Sequence, residues 1–353
     1  MYTYQQLFDF TKNIFLAMGC NDADAKTITD VLVAAELRGI ESHGLSKIPD
    51  YYNLWKTKRI NVKPYISIVH ETPSTAVVDG DSGFGMIAGK KSMQIAIEKS
   101  KYAGTGWVSV RNSNHYGIAG YYSMMALQHD MIGIAMTNAS PLVAPTFSVD
   151  RLLGTNPIAV AIPANNQPPF VADFATTPIA SGKLTLMHKK GIKAPEGYVH
   201  DKEGKPSNDP NILTRGGAIV PLGSDYEHGS HKGYCLGSIV DIFSSVLSGA
   251  GFGPWVPPSV AYLPVKENPD VKGTGHFFGA MRIDAFRPAS EFKEMMDKWI
   301  LAFRNSKPAE GHEKVLVPGD PERENEAKRM KEGIPILPVL IEKVNEIAVE
   351  LGV

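Results

Sequence analysis

Cysteine is scarce in this chain: 353 residues carry two thiols, Cys20 and Cys235. They stand far apart in sequence and neither lies in a CxxC or other metal-ligand spacing. That argues against a disulfide framework and a structural zinc site, and both read as free thiols in a reducing, cytoplasmic compartment. No run of about 18 apolar residues occurs, so there is no candidate membrane span. The N-terminal stretch MYTYQQLFDFTK has no basic segment followed by an apolar one, so it does not read as a secretory leader. An excess of one charge is missing too. Lys and Arg number 36 against 37 Asp and Glu, for a formal net charge of -1. A dedicated nucleic-acid binder would show clustered basic residues instead. Internal repeats and low-complexity tracts are also lacking. What remains is a globular balance of 43% apolar and 21% charged residues, long enough for two domains and a sizeable core.

The N-terminal third reads as helical. Residues 3 to 19 carry a stripe of Leu7, Phe10, Ile14, Phe15 and Met18, with Thr3 as N-cap and Gln6 placed for a capping box. A second helix follows Asp22 and stops near Gly39, a turn covers Ile40 to Lys47, and Pro49 suits the first turn of a third helix. From about residue 65 short β-branched runs alternate with helical stretches: STAVVDG, a helix from Met86 to Tyr102, GWVSV, a helix from Gly120 to Gln128, IGIAMT, IAVAIP and FVADF. This alternation predicts a sheet-containing α/β or α+β domain. Pro195 to Gly217 reads as a long excursion, Lys232 to Ser248 as a helix, and HFFGAMRIDAF as a further strand. Helices return over Ala289 to Asn305, Pro321 to Lys331 and Pro338 to Leu351. Helical ends around a sheet-rich middle suggest a discontinuous first domain.

Several polar, glycine-containing segments could carry chemistry. Gly83-Phe84-Gly85-Met86-Ile87-Ala88 follows a predicted strand and opens a helix, matching the G-x-G-x-x-A dinucleotide fingerprint, in which glycines let a pyrophosphate approach a helix N-terminus. The acidic ribose anchor expected about 20 residues on is missing, since the next strand ends in Arg111 and Asn112. A tight turn that needs small residues is the other reading. Arg38 to Lys47 places Ser42, His43 and Lys47 between two helices. They could orient a substrate hydroxyl and hold a carboxylate, or Ser42 could cap a helix while His43 packs under a turn. Asn112-Ser113-Asn114-His115-Tyr116-Gly117 gathers polar donors at a strand's end. His115 there suits a base that takes a hydroxyl proton during alcohol oxidation, or else a structural histidine satisfied by backbone. Gly154-Thr155-Asn156-Pro157, Asp173 to Thr177 with Gly182-Lys183, and Gly229 to Tyr234 lie at element boundaries. Taken singly, each reads as turn chemistry. Together they point to a cofactor with many polar contacts, Lys232 marking a helix N-terminus that favours anions. His228 and His231 lack partners in a ligand pattern, so no metal is expected.

RGIESHG, NSNHYGIAGYY, LLGTNPIAVAIP, VADFATTPIASGK, HKGYCLGSIVDIFSSVLSGA and GIPILPVLIEKV, in this order, resemble the malate/L-lactate dehydrogenase family of the second, non-Rossmann type. That family also holds ureidoglycolate and sulfolactate dehydrogenases, diketogulonate reductase and a cyclic-imine reductase. The resemblance runs end to end. It implies a mixed α/β fold with a helical dimerisation domain from residues 1–70 and 286–353 and a sheet-rich cofactor domain of non-Rossmann topology over 71–285. On this view the Gly83 segment is not a true fingerprint. The resemblance makes His115 the acid/base, with Ser42 and His43 in the Ser-His-Gly active-site turn. It puts Lys47 and Asn156 on the substrate, and Asn138, Ser140, Asp173, Phe174, Ala175, Lys183, Lys232 and His276 on the cofactor. Relatives commonly carry Arg where this chain has Lys47, which supplies charge without a bidentate fork. The implied protein is a homodimeric enzyme that moves a hydride between NAD, with NADP as the alternative, and a 2-hydroxy or 2-keto acid. It needs neither nucleic acid nor membrane. An imine-, ureidoglycolate- or sulfolactate-type reductase of the same family, and a non-catalytic NAD(P)-binding protein, are the alternatives.

Overall fold

Thr3 and Gln6 satisfy each other's backbone. Gln6 N–H donates to the Thr3 hydroxyl at 3.2 Å and Thr3 N–H donates to the Gln6 side-chain oxygen at 2.8 Å. This capping box opens α1, Tyr4–Ala17, whose inner stripe buries Leu7, Ile14 and Phe15. Asn21 caps α2, Asp22–Leu37, and Pro49 sits in the first turn of α3, Ile48–Lys56. The computed structural model describes every residue of the chain except Tyr262.

The main sheet combines β1 (Ser67–Glu71), β2 (Thr75–Asp79), β3 (Thr105–Ser113), β4 (Met131–Thr137), β5 (Ile158–Ile162) and β6 (Phe170–Phe174) with a late strand, Thr274–Arg282. Three short strands intervene, β7 (Val199–His200), β8 (Pro206–Ser207) and β9 (Ala218–Ile219), so the late strand is β10. The order is β1-β2-β3-β10-β4-β5-β6. Among the described residues only β2 and β3 run parallel, joined by the crossover helix α4, Gly85–Ala103. The other neighbours are antiparallel. A doubly wound dinucleotide fold would be mostly parallel, so the mixed, non-Rossmann architecture expected from the family resemblance is what the chain adopts. The remaining helices are α5 (Ala119–Met124), α6 (Ser181–Lys189), α7 (Ser230–Asp241), α8 (Ala289–Arg304), α9 (Asp320–Glu332) and α10 (Pro338–Leu351). One hydrophobic cluster runs from α1, α2, α3 and α10 through α4 to β3 and β10. No helix of the described residues is long and apolar enough to cross a membrane.

Two elements, β1 and α6, are additional to the sequence reading, and two local expectations change. β1 has no alternating apolar pattern because it is an edge strand with most of its side chains exposed. α6 is short and weakly amphipathic, so the periodicity did not mark it. The excursion over Pro195 to Gly217 contains β7 and β8, which form a small sheet with β9 just beyond it, and Val199, Ile212 and Ile219 pack there against Val143, Leu153 and Leu184. The helix expected from Lys232 starts at Ser230 and, past Asp241, widens into a π turn over Ile242–Val246.

Candidate active site

The segment after α2 forms two 3₁₀ turns, Glu41–His43 and Leu45–Lys47, broken at Gly44. The break lets Ser42 and His43 on one turn and Lys47 on the next border one cluster. Ser42 Oγ lies 2.9 Å from His43 Nδ1. One helical turn beyond Lys47, the buried Tyr51 of α3 places its Oη 2.7 Å from His115 Nδ1. His115 arrives from the opposite side, just past β3, and its ring stacks on His43 at 5.5 Å between centroids. The first turn of α6 closes a third side, since a Cβ on Gly182 would sit 3.2 Å from Ser42 Cβ. Residues separated by up to about 140 positions, the distance from Ser42 to Gly182, thus meet in one place.

Both imidazoles keep an edge at the surface, yet close packing around their rings makes burial the first cause of their pKa shifts. His43 is pushed down to about 3 by burial, with the ammonium groups of Lys47 and Lys183 adding to it. His115 is held well below its ordinary value by burial, then by His43, Lys47 and His276. Both rings are neutral near pH 7, which leaves a nitrogen lone pair on each for proton transfer. Lys47 pairs with Asp50 at 3.4 Å in a partly exposed contact. Such a pair is worth little and leaves the ammonium free to take another anionic partner.

The polar residues around His115 brace it. Asn112 donates to Asp79 at 2.8 Å and accepts from Ser82 Oγ at 2.9 Å. Asn114 donates to the carbonyls of Ser82 and Gly83 at 2.8 and 2.9 Å. These bonds tie the end of β3 to the loop that opens α4. Gly85 completes the join, because a Cβ there would overlap the carbonyl of Asn114 and come within 2.7 Å of His115 O. The glycine that imitates a phosphate-binding fingerprint is therefore required for close approach of the His115 backbone. Its constraint is this overlap and not a left-handed turn, since Gly85 is absent from the positive-φ glycines.

Three residues that the resemblance assigns to ligands have their side chains engaged as internal braces. Asn138 donates to Asp241 at 3.1 Å and Gly251 O at 2.7 Å and accepts from Gly275 N–H at 3.0 Å. Asn156 accepts from Ala139 N–H at 3.2 Å and donates to Gly237 O at 2.9 Å. His276, fully buried in the central strand β10, has Nδ1 2.7 Å from Thr137 Oγ1 and Nε2 2.8 Å from Ser113 Oγ, and stacks on Tyr116 at 4.7 Å. Their side-chain polar atoms are taken up inside the protein, which leaves their backbone groups as the means of touching a substrate or cofactor.

The other expected contacts lie at element ends. Ser140 Oγ is 3.2 Å from Ser259 Oγ. Asp173, at the end of β6, accepts the Gly120 N–H at 2.7 Å where α5 starts. Burial pushes its carboxyl up to about 6 against that bond. Phe174 is exposed and Ala175 half-exposed beside it. Lys232 is exposed in the first turn of α7. Its neighbour His231 has a buried Nδ1 with no hydrogen-bond partner, and its ring lies 4.9 Å from Tyr226, which stacks on the exposed Phe147 at 5.1 Å. An orphaned ring nitrogen, a solvent-facing ammonium and an aromatic row suit a ligand carrying phosphate and a flat base.

The sequence did not single out Tyr51. Its signal was its spacing, four residues after Lys47 on a predicted helix, which puts both on one face. A surface cavity of about 540 Å³ beside Arg151, Leu152 and Lys266 shares no residue with the cluster. Among the described residues no three His, Cys, Asp or Glu side chains gather as a metal site would require.

Residues 2–345 match the model of the malate/L-lactate dehydrogenase family. The chain belongs to this family. It is an oxidoreductase, a hydroxy-acid dehydrogenase of the malate/lactate type. The malate dehydrogenase of Pyrococcus abyssi is 42% identical over 351 residues, 99% of this chain and 94% of that protein. The L-sulfolactate dehydrogenase of Methanocaldococcus jannaschii is 42% identical over 341 residues, 96% of this chain and 94% of the other. The crystal structure of the malate dehydrogenase of Entamoeba histolytica superimposes with a TM-score of 0.93 at 37% identity, covering 99% of this chain and 98% of that one.

Proposed function

We propose that the enzyme uses NAD(P) to interconvert a 2-hydroxy acid and its 2-keto acid, with His115 as acid/base, and that it favours substrates carrying a second anionic group. The observation that carries this reading is the convergence of Ser42, His43, Lys47 and His115, two neutral imidazoles facing a cation. The bound nicotinamide supplies the hydride acceptor or donor for substrate C2. The chain's own residues do the rest. In oxidation, His115 Nε2 takes the hydroxyl proton while Tyr51 Oη holds Nδ1 and with it the ring's orientation. Lys47 holds the 1-carboxylate, and the Ser42–His43 pair orients the substrate oxygen. In reduction, the substrate carboxylate brings negative charge beside Lys47 and the imidazoles. That charge offsets the ammonium that helps to depress His115 and favours loading its proton as substrate binds.

Lys183 belongs to the substrate side in this reading. It stands in the first turn of α6 beside Gly182, which abuts Ser42, and no salt bridge engages it among the described residues. A second ammonium here suits the distal carboxylate of oxaloacetate or the sulfonate of sulfopyruvate better than the methyl of pyruvate. Lys232, His231 and the aromatic row of Tyr226 and Phe147 would hold the dinucleotide, with Ser140 and the Asp173–Ala175 strand end beside it. The two unpaired thiols support a cytoplasmic location, and the exposed apolar stripe of Ile239, Ile242, Phe243 and Val246, which lies in the 71–285 segment outside the terminal helices, supports a homodimer, which light scattering would check.

The test is a panel of 2-keto acids with NADH and with NADPH, following loss of the reduced cofactor's absorbance. Oxaloacetate or sulfopyruvate should give the highest kcat/KM, and Lys183→Met should lower its ratio to the pyruvate value by on the order of 10-fold or more. Cofactor that binds but is never consumed would defeat the reading.

A further inference from the structure

Gly44 breaks the substrate turn because another side chain fills the space beside it. Glu36, in the last turn of α2, is 1% exposed, and its Oε1 accepts the N–H of Leu45 at 2.8 Å. A Cβ on Gly44 would lie 2.5 Å from the Glu36 Cδ. The carboxyl thus occupies the place that a residue-44 side chain would need. It also supplies the acceptor that Leu45 loses where the two 3₁₀ turns part. Ser42 and His43 precede this join and Lys47 follows it, so one buried group sets the angle between the two halves of the site.

The far oxygen of the same carboxyl, Oε2, is buried with no partner. The charged groups that bear on it come from two elements. Glu41 on the first 3₁₀ turn opposes its ionisation, and Arg329 on α9 favours it. Arg329 does not bond the carboxyl. Its Nη1 donates to the Glu36 backbone carbonyl and its Nη2 to the Glu41 carboxylate, both at 2.6 Å.

We propose that Glu36 is a positioning residue for the substrate turn, and that the charge state of its carboxyl decides how firmly that turn is held. The neutral acid fits the site as built, with Oε1 accepting from Leu45. The anion leaves Oε2 buried and bare, a costly state that is relieved by letting water in or by swinging toward Arg329. Either move drags Gly44 and Leu45 and spreads His43 from Lys47. Burial raises the Glu36 carboxyl to about 7, which puts the switch within the working range of a cytoplasmic enzyme. The inference rests on the assignment of Ser42, His43 and Lys47 to the substrate only for its kinetic arm.

The experiment follows ring-labelled histidine signals by NMR from pH 5.5 to 9 in the wild-type enzyme and in Glu36→Gln, with keto-acid KM measured over the same range. The His43 ring itself stays neutral above pH 5.5, so any inflection near neutral pH reports a neighbour. The wild type should show one, together with a rise in KM for the keto acid above neutral pH. Glu36→Gln, which keeps the acceptor for Leu45 but cannot ionise, should lose both. Glu36→Asp, too short to reach Leu45, should raise KM on the order of 10-fold at every pH, with cofactor Kd retained. A wild-type His43 signal without that inflection, or an inflection that survives in Glu36→Gln, overturns the proposal. The NMR arm does so even if no 2-keto acid proves to be a substrate, a result that would defeat the functional reading alone.

Discussion

Tyr51→Phe isolates one hydrogen bond behind His115, the proposed acid/base. The tyrosine is 1% exposed and its ring packs edge-on against Phe84 at 5.8 Å. Phenylalanine keeps that packing, so the variant should fold and lose little thermal stability. What it removes is the Oη that stands 2.7 Å from His115 Nδ1. The remaining contact to that nitrogen is the Gly117 N–H at 3.4 Å, too long to fix the ring. A buried ring nitrogen left without its partner costs about 1–3 kcal/mol. If that cost falls on the transition state, kcat drops by about 5- to 150-fold, at about 1.4 kcal/mol per factor of ten. Steady-state kinetics of keto-acid reduction should show kcat and kcat/KM falling together, because a misaligned imidazole weakens proton transfer more than substrate binding. Cofactor Kd, measured by fluorescence, should hold. A variant with kcat within twofold of wild type would refute the reasoning, since the Tyr51 contact would then be only packing. So would a loss confined to KM.

His115→Ala should lower kcat by about 10²–10⁴-fold, the usual worth of a positioned acid/base, with cofactor Kd nearly unchanged; turnover like wild type would remove His115 from the mechanism. Lys47→Ala should reduce kcat/KM for the keto acid by about 10- to 150-fold, the value of a charge-assisted bond, and Lys47→Arg should match or exceed wild type if the pocket accepts a two-point carboxylate contact. Gly85→Ala should lower the melting temperature and kcat, by displacing the His115 backbone, while folded protein keeps its cofactor affinity; a selective loss of cofactor binding would restore the phosphate-loop reading. Glu36 makes a stability prediction with a definite sign. Its carboxyl is raised in the folded state to about 7 from 4.5, so its contribution is full below pH 4.5 and is lost as pH rises through 7. Glu36→Gln should therefore gain roughly 3 kcal/mol relative to wild type between pH 4.5 and 8, at about 1.4 kcal/mol per pKa unit, read from denaturant melts; a constant difference would sink the assignment.

Local chemistry was legible in the sequence because its causes are local. The Thr3–Gln6 box, Pro49 in the first turn of α3 and the stripes of α1 and α10 depend on residues a few positions apart, and their bounds follow from spacing alone. The motif order carried the family and, with it, the Ser42-His43 turn, Lys47 and His115. Only the tertiary structure decided which polar side chains border the histidine cluster and which are taken up by the scaffold. Asn138, Asn156 and His276 look as chemical as His115 in sequence. β10, however, inserts between β3 and β4 from about 140 residues further along the chain than β4, and that burial uses up His276. Gly85 shows the same limit from the other direction, since its fingerprint spacing is local while the Asn114 and His115 carbonyls that require it come from just beyond the next strand. Tyr51 and Glu36 gain their roles from contacts across a strand end and a broken turn, with His115 in one case and Gly44 and Leu45 in the other. Side-chain identity limits the chemistry a residue can do; its depth and its neighbours, set by long-range pairing, decide whether it does it.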